Sequence, residues 1–188
     1  MTITAAENGR PTVVFLVDRW VDGGIKKHIL HLYRAFQEQG CKCAVAAWLP
    51  PGIESPRGID FVHLPLFRGS DRKTFTGFIQ SVKKLRSCLI EREIQVLHIH
   101  NRYMTLLAAV ASKGLTVKKM YTVHSVFENM PYLCFYPKTV ICLNEAVRTS
   151  FLNNWFLPSE MKLFVIPNGI DVSCDIDTQM HTSPYTFG

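Results

Sequence analysis

The chain has 188 residues, 47% of them hydrophobic and 19% charged, with a formal net charge of +6 and a sequence pI near 9.1. A domain of that size can bury a real core, and no apolar run approaches the ~20 residues that a membrane-spanning helix requires, so a helical membrane protein is excluded. The basic balance favours anionic partners such as a nucleotide diphosphate, a phosphorylated acceptor or an anionic membrane face, whereas no helix-turn-helix, zinc-finger or RNP-like pattern accompanies it, so nucleic acid is not expected.

Residues 1–11 lack both a basic start and an apolar h-region, and read as a disordered leader instead of a signal peptide. Cytoplasm is the expected compartment, with peripheral contact at the inner membrane face as its variant. Thr12 to Val17 is a nearly continuous apolar run ending at Asp18, the pattern of a parallel strand buried on both faces. A polar loop closes at Gly23-Gly24, and Ile25, Ile29, Leu32 and Phe36 then repeat at helical spacing until Gly40. Cys41 to Trp48 and Ile59 to Leu64 are the second and third strands, separated by Pro50-Pro51-Gly52.

Phe75, Phe78, Ile79, Val82, Leu85 and Leu89 draw one apolar stripe, which predicts an amphipathic helix capped near Ser70 or Asp71. The basic residues around it (Arg68, Arg72, Lys73, Lys83, Lys84, Arg86) and after it (Lys113, Lys118, Lys119) read as solvated faces. Gln95 to His100 is a fourth strand, Met104, Leu107, Ala108 and Ala111 mark a helix, and Lys119 to His124 is a fifth strand. An irregular aromatic stretch, Ser125 to Tyr136, precedes a sixth strand at Thr139 to Leu143. Val147, Phe151 and Trp155 mark a last helix, and Leu163 to Ile166 is a seventh strand, stopped by Pro167 and turned by Asn168-Gly169. The alternation predicts a doubly wound, Rossmann-like parallel sheet of about seven strands with helices on both faces, occupying 12–171. A strand order beginning 3-2-1-4-5 would put a ligand cleft between the first and fourth strands, bordered by Asp18 to Gly24 and by His100, Asn101 and Arg102.

The six cysteines form no Cys-x-x-Cys pair and fall mostly inside apolar patterns, so they are expected to be reduced and buried. Gly23-Gly24 opens a helix whose first N–H groups lack partners, which suits a phosphate or a sugar, although the spacing fits neither a dinucleotide fingerprint nor a P-loop. His98, His100 and His124 form the visible imidazole cluster. No further ligand accompanies them in the sequence, so no metal is expected, and His124 with Ser125 is instead placed at the cleft edge. No Ser-His-Asp elbow, carboxylate pair or Walker lysine is present, and no cofactor is expected.

Four segments, taken in order, resemble the N-terminal domain of GT-B fold glycosyltransferases of the retaining family 4 type. They are Asp22-Gly23-Gly24-Ile25-Lys26-Lys27-His28, Val96-Leu97-His98-Ile99-His100-Asn101, Tyr121-Thr122-Val123-His124-Ser125, and Val165-Ile166-Pro167-Asn168-Gly169-Ile170-Asp171. The resemblance implies an acceptor-binding half of an enzyme that moves a sugar from a nucleoside diphosphate sugar to a glycan, lipid or small-molecule acceptor. It places Gly23 and Gly24 in the loop facing donor phosphates and acceptor, makes His124 the histidine that reaches the transferred sugar, and makes Asn168 and Gly169 the turn into an interdomain hinge. His100, Asn101 and Arg102 fall where acceptor contacts arise. The nucleotide-gripping C-terminal domain of that family has no counterpart here. Residues 172–188 are accordingly expected to be a linker or the opening of that domain, and the isolated chain is expected to be inactive. The competing reading is a non-catalytic binding or membrane-docking subunit that pairs with a separate catalytic half. An exposed patch of Phe135, Tyr136, Phe151, Trp155 and Phe156 would carry it.

Overall fold

The computed structural model describes residues 9–68, 72–126, 135–153 and 160–169. Most of the leader, Cys134, Trp155, Phe156, Cys174, Asp171 and the tail 172–188 lie outside the described residues. The elements run β1 (Val13–Arg19), α1 (Gly24–Glu38), β2 (Cys43–Trp48), β3 (Phe61–His63), β4 (Phe67–Arg68), β5 (Arg72–Lys73), α2 (Phe75–Glu91), β6 (Val96–Ile99), α3 (Arg102–Ala111), β7 (Lys118–Val123), β8 (Thr139–Cys142), α4 (Glu145–Leu152) and β9 (Lys162–Val165).

Seven strands form one sheet in the order β3-β2-β1-β6-β7-β8-β9, and every pairing in it is parallel. The order confirms the expected reversal: from β1 the chain winds outward through β2 and β3, then returns to β6 and winds the other way. β1 is therefore central, and its apolar run is buried on both faces as its composition requires. Alternate residues divide between two cores. Val14 and Leu16, with Leu97, Ile99, Tyr121 and Val123, face α2, α3 and α4. Val13, Phe15 and Val17 face α1 through Ile29 and Tyr33. Helices lie on both faces, three on one and one on the other among the described residues.

The start of α2 differs from the sequence expectation. Its cap is Thr74, whose Oγ1 accepts from the Gly77 N–H at 3.0 Å, and not Ser70 or Asp71. Just before it Arg72 and Lys73 pair antiparallel with Arg68 and Phe67, so helical geometry begins only beyond Thr74; Ser70 and Asp71 lie outside the described residues. Several basic side chains are structural and not merely solvated. Arg86 Nη1 donates to the carbonyls of Ala111 (3.0 Å) and Lys113 (2.8 Å), tying α2 to the end of α3, where unpaired carbonyls gather. Lys119 Nζ reaches Ser112 Oγ at 3.1 Å. Cys43, Cys88 and Cys142 are buried free thiols, and burial pushes the Cys43 and Cys142 thiols up to about 11, as an inert core cysteine requires.

Gly77 has a packing reason to be glycine. A Cβ there would run into the Pro65 carbonyl and reach the Leu66 carbonyl at 3.0 Å, both of them backbone atoms that cannot swing aside. Gly77→Ala is expected to lose about 1–3 kcal/mol from this overlap, more than the ~1 kcal/mol that alanine adds to a helix. Urea denaturation should show a lower midpoint with an unchanged slope; an unchanged or higher midpoint would contradict the close approach.

Candidate functional site

The carboxyl ends of β1 and β6 are locked together at the reversal of strand order. The His100 N–H donates to the Leu16 carbonyl at 2.9 Å, and the Asp18 N–H donates to Asn101 Oδ1 at 3.0 Å. Asn101 occupies the N-cap position of α3 but makes no side-chain cap, because its oxygen holds β1 instead. Beyond these ends lies a cavity of about 270 Å³, lined by Asp18, Ile25, His100, Asn101, Arg102, Tyr103, Tyr121, His124 and Ser125. The structure thus brings His100, Asn101, Arg102 and His124 into one cleft, as the strand order predicts.

Side-chain alternation puts His98 and His100 of the β6 region, and Thr122 and His124 of the β7 region, on the sheet face that α1 covers. His98 takes no part in the cleft: its Nε2 lies 2.7 Å from Thr122 Oγ1, a satisfied core contact. His100 Nδ1 lies 3.0 Å from His124 Nε2, with one ring donating and the other accepting. The third member of the cluster is His28, from the second turn of α1, with ring centroids 5.6 Å from His100 and 5.1 Å from His124. Candidate ligand atoms of His28, His100 and His124 all lie within 4.8 Å of one another. The sequence-level cluster of His98, His100 and His124 is therefore corrected by exchanging His98 for His28. The available signal was helical spacing: His28 falls between Ile25 and Leu32 on the stripe that faces the sheet.

These imidazoles are uncharged at neutral pH. Burial pushes His124 down to about 4, with the neighbouring His28 adding to the effect, and pushes His98 down to about 3. His100, 2% exposed, is held well below the usual range, first by burial and then by its histidine neighbours. His28 is lowered by burial and by His31.

Gly23 has φ of +157° and ψ of 176°, a conformation confined almost entirely to glycine, and it lets the loop turn directly into α1. Gly24 has no such backbone need, and a Cβ there would meet nothing within 4 Å. No side chain caps α1 and no acid occupies its first turn, so its positive end is open toward the cleft that Ile25 lines. At the cleft edge Lys73, half-buried, lies 3.6 Å from the Asp18 carboxylate and 3.8 Å from the centre of the Tyr103 ring. Burial lowers its pKa while Asp18 opposes the shift.

Gly169, beside Asn168 in the chain, lines a second cavity. Gly169, Pro167 and Ile166 border an apolar groove of about 630 Å³ over Met120, Thr122 and Ile141, next to His28 and His98. The aromatic patch required by a docking-subunit reading is divided: Phe135 is exposed, but Tyr136 and Phe151 are buried and pack on each other and on Tyr121. No helix of the described residues is long and apolar enough to cross a membrane.

A doubly wound sheet with its cleft at the β1/β6 reversal, roofed by a glycine-opened helix, has the architecture of a GT-B half-domain. Residues 22–173 match the model of Glycosyltransferase Family 4, and the chain belongs to that family. Among solved structures it is similar to a glycosyltransferase from Rickettsia africae, at 16% identity and a TM-score of 0.67 over 86% of this chain and 44% of that one. It is also similar to sucrose-phosphate synthase from Thermosynechococcus elongatus, at 12% identity and a TM-score of 0.62 over 84% and 48%. HepE from Anabaena, solved with UDP and glucose, matches at 15% identity and a TM-score of 0.61 over 86% and 45%. The chain spans about half the length of each of these structures. No curated protein matches it in sequence.

The buried imidazoles make stability depend on pH in a defined direction. Each is neutral in the fold but protonates near 6.5 in the unfolded chain, so unfolding takes up protons below that value. Their contribution is complete above pH 6.5 and is lost as pH falls toward about 4, the folded value of His124. The slope is at most about 1.4 kcal/mol per pH unit for each imidazole kept neutral. Denaturation midpoints should fall between pH 7 and pH 5, and the His124 ring resonances should not titrate across that interval; a normal titration near 6.5 would contradict the burial.

Proposed function

We propose that this chain is the acceptor-side half of a retaining glycosyltransferase that moves a sugar from a nucleoside diphosphate sugar to a glycan, lipid or small-molecule acceptor in the cytoplasm. The observation that carries the reading is the cleft itself. An uncharged His124, steadied by His100, stands beside the open positive end of α1 in a protein of Glycosyltransferase Family 4. That HepE was solved with UDP and glucose supports the donor class.

Each residue then has a physical task. The first N–H groups of α1, reached over the bare Gly23-Gly24 backbone, attract the donor's diphosphate oxygens and stabilise the charge that grows on them as the sugar departs. His124 has one nitrogen engaged by His100 and directs the other to a hydroxyl of the transferred sugar; being neutral, it adds no positive charge against an oxocarbenium-like centre. Arg102 and Asn101 border the acceptor, Asn101 also holding the cleft's floor through Asp18. The Asn168-Gly169 turn leads into a hinge, and by family resemblance a second domain beyond it grips the nucleotide. No covalent step is asked of this half, whose contribution is positioning and electrostatics. The transfer requires no cofactor.

The test is sugar transfer from a panel of nucleoside diphosphate sugars, assayed with the complete natural protein and with the 188-residue chain. Transfer is expected from the former and none from the latter. His124→Ala should lower kcat by about 100-fold or more, in the range of a lost polar catalytic contact. Gly24→Ala separates ligand approach from folding, because the added methyl meets open space: the denaturation midpoint should hold while KM for the donor rises. Unchanged kinetics in both variants, or no transfer from any donor, would overturn the reading.

A further inference from the structure

We propose that His28, His100 and His124 form a binding site for a transition-metal ion of the zinc class, distinct from the sugar-transfer chemistry and antagonistic to it. Three imidazoles from three separate elements converge there, with candidate ligand nitrogens within 4.8 Å of one another. Two stand immediately beyond the ends of adjacent parallel strands and the third is in the helix packed over them, so each is anchored directly by regular backbone. Such a scaffold keeps ligands in place without a flexible loop.

The donor set selects the ion. Three neutral nitrogens and no carboxylate suit zinc, cobalt, nickel or copper; magnesium and calcium want oxygen. The burial that keeps these rings unprotonated at neutral pH also leaves their lone pairs available, since a proton and a metal compete for the same atom. One pair is already close to ligation distance, and the third imidazole has to close in from within 4.8 Å. Tetrahedral ligation with bonds of 2.0–2.1 Å sets nitrogens about 3.3 Å apart. The His100–His124 separation is 3.0 Å, so replacing their shared proton by a cation moves that pair by only a few tenths of an ångström. His100 Nε2 is sealed from water and has no hydrogen-bond partner among the described residues, so no competing hydrogen bond at that nitrogen holds the ring against a small adjustment. The cavity beyond His100 and His124 leaves room for a water in a fourth position, and Asp18 on its wall offers a negative charge.

Occupation has a consequence that rests on the transferase reading: a metal on His124 Nε2 puts positive charge beside the oxocarbenium-like centre that the neutral ring spares. The ion is then an inhibitor and not a cofactor.

The experiment is titration of the 188-residue chain with Co²⁺ and with Zn²⁺, comparing wild type with His28→Gln, His28→Ala and His31→Ala. His31 borders the neighbouring groove but lies outside the trio. The wild type should take up one Co²⁺ with the intense visible absorption of a four-coordinate nitrogen site, and Zn²⁺ should displace it. Either His28 variant should weaken binding by more than about 10-fold, since loss of an outer-shell partner alone costs that much, while His31→Ala binds like wild type. Glutamine keeps a polar side chain at position 28, so that variant remains informative if alanine perturbs α1. Absence of the absorption band, or His28→Gln binding as tightly as wild type, would overturn the site. In the transfer assay with complete protein, Zn²⁺ should inhibit wild type at concentrations at least about 10-fold below those needed for His28→Gln. Metal uptake without any sugar transfer would leave the site standing and remove the transferase reading. Transfer insensitive to Zn²⁺, with no uptake, would do the reverse.

Discussion

The structure depends on the burial of the apolar run Val13 to Val17 of β1 between β2 and β6. That strand is the only one adjacent to both halves of the winding, and its register with each neighbour sets where the two sets of strands end. Phe15 shows how much rests on it. Its ring packs on Tyr33 and Phe36 of α1 and, from the same face, on His98 and His100, with centroids 5.7–6.4 Å away. One side chain thus holds the helix to the sheet and closes the imidazoles off from water. Burial of apolar surface is the dominant favourable contribution to folding, and here the same burial makes the site's histidines neutral.

That coupling explains why the functional groups are found where they are. A parallel sheet must end its strands somewhere, and at the reversal of order no crossover covers those ends. His100 and His124 are the residues immediately after β6 and β7, close enough to the core to be dry and close enough to its edge to meet a ligand. Asn101 uses its side chain to bind the end of β1, so the cleft has a fixed floor. Lys73 is a different solution to the same problem: a charge brought to a half-buried position, retained by Asp18 and by the ring face of Tyr103. The cleft therefore contains a neutral region around the imidazoles and a paired charged region at its lip.

Much of this was legible in the chain. Hydrophobic period distinguishes strand from helix, and in a doubly wound fold connection rules leave few strand orders, so the β1/β6 cleft and the placing of His100, Asn101, Arg102 and His124 followed before any coordinates. Local capping was less legible. Ser70 and Asp71 are good caps by residue type, but Arg72 and Lys73 are strand residues paired with Arg68 and Phe67, so the helix starts after Thr74, and such pairing between short segments leaves little trace in periodicity. The basic stretches were similarly ambiguous, since nothing in sequence tells a solvated lysine from Arg86, whose partners lie 25 and 27 residues away.

The sequence by itself determined the fold class and the family, because these follow from patterns of local period and from ordered motifs along one dimension; the strand order it left conditional was settled by the sheet itself. Only the tertiary structure decided which histidines act together. His98 and His100 share a strand face, yet Thr122 engages the first and His124 the second, while His28 arrives from a helix more than seventy residues earlier in the chain. It also decided their charge, for an imidazole's protonation is set by the water excluded around it, and that exclusion is made by Phe15 and α1 from distant parts of the chain.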